Sequence, residues 1–244
     1  MNKDNSTNGT SRAELKVYRT RMETRKAYDR LSRWYDFLAG PSEQRLRREG
    51  LKLLGAKSGE TVLEIGYGTG HAIVSLAESV GTEGHVFGVD ISTGMQRVTE
   101  KRVNAAGLAS RVTLSCHDAA ESLPFNSDTF DAIFLTFALE LFEILEMQDV
   151  LRECRRVLKF TGRLVVVAMY AADDEADNLM QRLYRWAHRR YPRYVDCRPI
   201  PLDSFLKSEG WNIRTQQRMS TFGLPVIALL AAKPEDAESN RKER

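Results

Sequence analysis

The chain reads as an open α/β domain built on a mainly parallel sheet with helices on both faces. Three observations point there. Thr61-Val62-Leu63-Glu64-Ile65 is a short apolar strand that runs into Gly66-Tyr67-Gly68-Thr69-Gly70, and a helical run, Ala72 to Ser79, follows at once. A second apolar strand, His85 to Asp90, comes after a turn at Gly81 to Gly84. A further strand, Ala132 to Phe137, is apolar on both faces, as a parallel strand between two helix layers must be. With 244 residues and 42% hydrophobic content, one such domain with additions accounts for the chain.

Ahead of the glycine turn the sequence is helical and basic. Met1 to about Arg12 is polar and has no apolar h-region, so it reads as a disordered tail and not as a signal peptide. From about Leu15 to Leu38, residues Tyr28, Leu31, Trp34, Tyr35 and Leu38 recur at spacings of three and four and share one helix face. That face either packs on the core or meets a ligand. Gly40-Pro41-Ser42 breaks the run, with Ser42 placed to cap a helix over Glu43 to Leu54. Leu46, Leu51 and Leu54 point inward there. Arg45, Arg47 and Arg48 point outward, as a solvated face or as a contact with a membrane surface.

Composition narrows the class. A net charge of +3 and a pI near 8.7 are too mild for a dedicated nucleic-acid binder. No apolar run approaches the roughly 18 residues of a spanning helix. Cys116, Cys154 and Cys197 show no C-x-x-C spacing, which fits reduced thiols in the cytoplasm and offers no zinc site. The expectation is a cytoplasmic protein, soluble or at most peripheral to a membrane, with no metal.

The glycines carry the chemistry. At every second position they let the chain turn sharply and let a ligand approach where a Cβ would collide. Glu64, inside the strand, is costly to bury unless something pairs with it, and a ribose or a cationic ligand would do so. A dinucleotide fingerprint, G-x-G-x-x-G, would put its third glycine at position 71, which is His71. The pattern present, Glu64-x-Gly66-x-Gly68-x-Gly70, resembles motif I of the class I S-adenosylmethionine (SAM) dependent methyltransferases. Gly88-Val89-Asp90-Ile91-Ser92 with Met95, Leu123-Pro124-Phe125 ahead of Asp128 to Asp131, and Arg156 to Leu164, as a turn before the fifth strand, resemble further segments of that family. Tyr28-Asp29 and Trp34-Tyr35-Asp36 resemble the elements ahead of motif I in its ubiquinone/menaquinone-biosynthesis members.

The resemblance implies a Rossmann-like, seven-stranded sheet, closed by an antiparallel pair at Trp211 to Ser220 and Val226 to Ala232. It implies a tail over 1–12, one domain over 13–233 with a helical lid over 13–55 and an acceptor-side insert over 170–201, and a charged tail over 234–244. SAM is the implied cofactor and S-adenosylhomocysteine the product. Gly66, Gly68 and Gly70 would pass under the methionine part. Asp90, ending the second strand, would accept hydrogen bonds from both ribose hydroxyls, an arrangement shared with dinucleotide enzymes. Ile91 and Met95 would border the adenine. Asp118, at the end of a third strand over Arg111 to Ser115, would bind its amine, and Ala119 would pack on the ring. Thr136, Phe137 and Leu139 would lie by the sulfonium or acceptor, with core packing as the other reading of the last two. Tyr28 or Tyr35 would approach the cofactor from the lid.

Further along, a helix is expected over Gly94 to Ala106, another over Met147 to Leu158, a fifth strand over Leu164 to Met169 and a helix over Pro201 to Gly210. Between Tyr170 and Pro201 lie Arg182, Tyr184, Arg185, Trp186, His188, Arg189, Arg190, Tyr191, Arg193 and Tyr194. Rings and arginines suit an aromatic or anionic acceptor, or a lipid headgroup. They also suit a plain amphipathic helix. His188 is the candidate base, titrating near neutrality, with a structural role as the alternative. The function expected is methyl transfer to a small hydrophobic aromatic acceptor, such as a prenylated quinol at carbon. A small amine, phenol or phospholipid headgroup, and a catalytically silent SAM-fold partner subunit, remain open.

Overall fold

The computed structural model describes residues 40–171, 182, 184, 186, 190 and 198–234. The described residues begin with α1 (Gly40–Leu54), followed by β1 (Thr61–Ile65), α2 (His71–Val80), β2 (His85–Asp90), α3 (Thr93–Ala105) and β3 (Val112–Cys116). Then come β4 (Phe130–Thr136), α4 (Ile144–Val157), β5 (Leu158–Met169), α5 (Leu202–Ser208), β6 (Asn212–Thr221) and β7 (Leu224–Ala232). One seven-stranded sheet has the order β3-β2-β1-β4-β5-β7-β6. The first five strands are parallel, and β7 is antiparallel to both β5 and β6.

The period of two decides which residues meet which helix layer. Leu63, Ile65, Ile133, Leu135, Val166 and Leu229 pack with Met147, Val150, Leu151, Leu202 and Leu206 of α4 and α5. Val62, Phe134, Val165 and Val167 face Leu46 and Leu54 of α1, Ile73 and Leu76 of α2 and Val103 of α3. Each fully buried Val or Leu contributes roughly 1.5–3 kcal/mol. The approach of α1 is close: a Cβ on Gly50 would stand 2.5 Å from Val167 Cγ2.

Among the boundaries that differ from the sequence reading, two fall where it expected a break or a turn. Helix α1 starts at Gly40, so the expected break lies within its first turn, where the missing N–H of Pro41 costs no helical bond. Strand β5 starts at Leu158, directly after α4, and the expected turn is a bulge inside it. Leu158 pairs with Phe130 and Arg163 with Ala132, so residues 159–162 are extruded between two pairs only two apart on β4. Among the described residues no helix is long and apolar enough to cross a membrane. Cys116 and Cys154 are free thiols. Tyr28, Tyr35, the lid and His188 lie outside the described residues.

Candidate active site

The strand order reverses at β1, whose neighbours are β2 on one side and β4 on the other. A crevice at the carboxyl ends of the strands is the expected result of such a reversal. One cavity opens there, lined by Ile65, Gly66, Gly68, Val89, Asp90, Ile91, Met95, His117, Asp118, Ala119, Thr136, Phe137, Ala138, Leu141 and Phe142.

The glycine turn is held from several sides. Gly66 has φ 75° and donates its N–H to the Val89 carbonyl at 2.8 Å. A Cβ there would stand 2.6 Å from Ala138 Cβ. Gly68 has φ 53°, and a Cβ would meet nothing within 4 Å, so this side of the turn is open to a ligand. From α3, the Thr99 hydroxyl donates to the Gly68 carbonyl at 2.9 Å, and Arg102 donates to the Thr69 carbonyl.

Asp90 is oriented by two backbone donors. Gly68 N–H reaches one carboxylate oxygen and Ser92 N–H the other, both at 2.9 Å. Ser92 then caps α3, its hydroxyl accepting from Met95 N–H at 3.1 Å. Asp118 accepts from Ala120 N–H at 3.0 Å, a short Asx-type turn that presents Ala119. His117 sits between them, its Nε2 3.0 Å from the Ser122 carbonyl oxygen.

The tip of β4 is unusual in its backbone. Phe137 has φ 52°, a left-handed conformation uncommon for a bulky residue, and its N–H donates to Val167 O at 2.8 Å. Strain of this kind clusters at ligand sites. Thr136 Oγ1, beside it, is buried with no hydrogen-bond partner among the described residues.

Three predicted residues stand off the cavity; of these, Leu139 is fully buried in the core, as its other reading had it. Gly70 instead permits close packing of α3, since a Cβ there would lie 2.4 Å from Thr99 Cγ2. Glu64 lies between Gly88 and Phe134 in the sheet, is 3% exposed, and its Oε2 has no hydrogen-bond partner among the described residues. Burial pushes its carboxyl well above the usual range; Arg47 of α1 opposes that shift and Asp90 adds to it. The ring wall formed by Leu141 and Phe142, and the contacts of Thr99 and Arg102, were not read from the sequence.

Behind that wall is a second buried carboxyl. Glu140 is fully buried, accepts from Met169 N–H at 3.2 Å through Oε1, and has no partner for Oε2 among the described residues. Burial raises its pKa to about 8; Glu43 adds to the shift, while hydrogen bonds from the backbone and the nearby Arg198 oppose it.

A family description, "Methyltransferase domain", matches residues 62–162. A demethylmenaquinone methyltransferase of Listeria welshimeri is 32% identical over 228 residues, covering 93% of this chain and 89% of that protein. The chain belongs to the class I SAM-dependent methyltransferases of the ubiquinone/menaquinone-biosynthesis type. Two solved structures share the methyltransferase's fold. The [4+2]-cyclase SpnF aligns at TM-score 0.73 and 19% identity, over 91% of this chain and 99% of its own. A SAM-dependent methyltransferase from Aquifex aeolicus aligns at 0.59 and 23%, over 82% and 97%.

The cofactor of this methyltransferase is SAM, and the cavity fits it. Gly68 leaves room for close approach, Asp90 is a fixed acceptor, and Thr136 presents a buried hydroxyl without a partner among the described residues. Val89, Met95, Ala119, Leu141 and Phe142 supply apolar walls for a flat ring.

Proposed function

We propose that this methyltransferase acts at a ring carbon of a small hydrophobic aromatic acceptor, a prenylated quinol. The observation that carries the reading is kinship with a demethylmenaquinone methyltransferase along nearly its whole length. The surface supports it. Leu145, beside the half-exposed Ile144 at the start of α4, is 74% exposed, and Phe222 at the β6–β7 tip is 77% exposed. Both stand at the edge of the sheet where the cavity opens. The Tyr170–Ile200 bridge lies at that edge, and between these two residues in sequence Arg182, Trp186 and Arg190 are exposed. Apolar side chains on this edge, with basic ones in the segment that follows β5, suit a lipid-soluble acceptor and a peripheral contact with a bilayer.

SAM, when bound, supplies an electrophilic methyl group on a sulfonium. Asp90 would bind the ribose hydroxyls, Asp118 the adenine amine, and Ile91, Met95 and Ala119 would hold the ring. Gly66 and Gly68 would let the methionine part approach the backbone, and Thr136 would offer its hydroxyl to it. Phe137 and Leu141 exclude water from the acceptor side, which keeps the reactants in line. In the same proposal His188 takes the proton that leaves the acceptor, and Tyr28 or Tyr35 contributes to cofactor binding; all three lie outside the described residues.

The test is methyl transfer from labelled SAM to a short-chain demethylmenaquinol, with phenols, small amines and phospholipid vesicles in parallel. Label on a quinol ring carbon supports the reading. Label only on nitrogen, oxygen or a headgroup replaces it.

A further inference from the structure

Arg198 is a charged residue held at 4% exposure, outside the cavity and unused by the chemistry above. Its Nε donates to the Glu140 carbonyl at 3.3 Å, and its Nη2 donates to the Phe142 carbonyl at 2.6 Å and approaches Met147 Sδ at 3.4 Å. Those carbonyls lie within and just after the short 3-10 turn Leu139–Leu141, whose own bonds, Leu141 N–H to Ala138 O and Phe142 N–H to Leu139 O, do not use them. The base of Arg198 is fixed as well. Two residues on, Ile200 donates its N–H to Met169 O at 3.0 Å, and its carbonyl accepts from Ala171 N–H at 3.1 Å. The side chain therefore spans from the tip of β5 to the loop that carries Leu141 and Phe142.

We propose that Arg198 is a positioning residue for the cofactor. It fixes the turn at 139–142 so that the Phe142 ring stands as a wall of the cavity, without touching the ligand itself. A planar guanidinium suits this role, because one rigid group reaches two carbonyls in fixed directions. A lysine in its place carries the charge but only one compact donor head. The backbone at Arg198 thus has a direct mechanical link to the cofactor wall. The inference rests on the cavity being the cofactor site, and wild-type binding tests that separately.

The experiment is calorimetric titration with S-adenosylhomocysteine of the wild type, Arg198→Met, Arg198→Lys, Phe142→Ala and the Arg198→Met/Phe142→Ala double variant. Arg198→Met should weaken binding about tenfold, and Arg198→Lys should recover part of that loss. If Arg198 works through Phe142, the double variant should bind no worse than the weaker single variant. An Asp90→Ala/Arg198→Met pair should instead show multiplied losses, since the two act at separate places. Full affinity in a folded Arg198→Met or Arg198→Lys protein would overturn the proposal. So would multiplied losses with Phe142→Ala, which mark a merely structural arginine. A wild type that does not bind sinks the cofactor assignment and the positioning role with it.

Discussion

The two edges of the sheet are built to opposite rules. At the amino edge of the strands, charges are paired and backbone groups are tied. Arg163 forks onto both oxygens of Glu60 at 2.9 and 2.7 Å and also donates to Gly55 O. Asp131 accepts from Lys159 at 2.7 Å and from Thr61 N–H at 2.9 Å. Burial alone would raise both carboxyls, yet these bonds outweigh it, and the pKa values of Glu60 and Asp131 are lowered. At the carboxyl edge, burial outweighs the groups that oppose it. Glu64 and Glu140 are raised, and Thr136 keeps a buried hydroxyl without a partner among the described residues. One edge is finished within the chain. The other is shaped for something that binds.

The largest test of this contrast is on the finished edge. Arg163→Ala should cost about 2–3 kcal/mol of stability, because Glu60 and Gly55 O lose a half-buried partner. Denaturant unfolding measures it. The folded fraction should still bind S-adenosylhomocysteine with wild-type affinity, and a matching loss of affinity would erase the distinction between the edges. Asp90→Ala should do the reverse, weakening that ligand by about 1–3 kcal/mol through lost charge-assisted hydrogen bonds. Unchanged affinity in a folded variant would remove Asp90 from the ribose.

Glu140 gives the contrast a pH signature. Its folded pKa, about 8, lies above the ordinary value of 4.5, so the folded state holds the proton more tightly. The associated stability is complete below about pH 4.5 and is lost as pH rises through 8. Thermal melts of Glu140→Gln between pH 5 and 9 should lack this decline, and parallel curves for the two proteins would count against it. The smallest effect is expected from Lys159→Ala. Its ion pair with Asp131 is about one-third exposed, and its removal should cost under about 1 kcal/mol.

Much of this was legible in the sequence where the signal is local. The apolar runs of β1, β2 and β4, the glycine turn and the acid ending β2 need only neighbouring residues to be recognised. They carry the family resemblance that implied Gly66, Gly68, Asp90, Ile91, Met95, Asp118, Ala119, Thr136 and Phe137, which the fold gathers around one cavity. Contacts that depend on distant chain segments were not legible. Nothing near Arg198 in sequence says that it will meet Phe142, 56 residues earlier. Glu64 shows the limit from the other side. Its cost inside a strand was visible, but the period of two turns it away from the cavity, toward the layer that contains Arg47. The bulge in β5 was read as a turn, because local sequence cannot report that Phe130 would resume the ladder at Leu158.

The placement of β7 sets a schedule for synthesis. Strand β5 is apolar on both faces, and its free side is completed only by residues beginning at Leu224. Between Met169 and that point the ribosome must add more than fifty residues, which at about 5–20 residues per second takes roughly 3–10 seconds. Throughout that interval the nascent chain presents an unpaired hydrophobic strand edge, the geometry most prone to pairing with another chain. Recombinant yield should therefore respond to translation speed and to chaperones that shield exposed strands, more than the stability of the finished sheet would suggest.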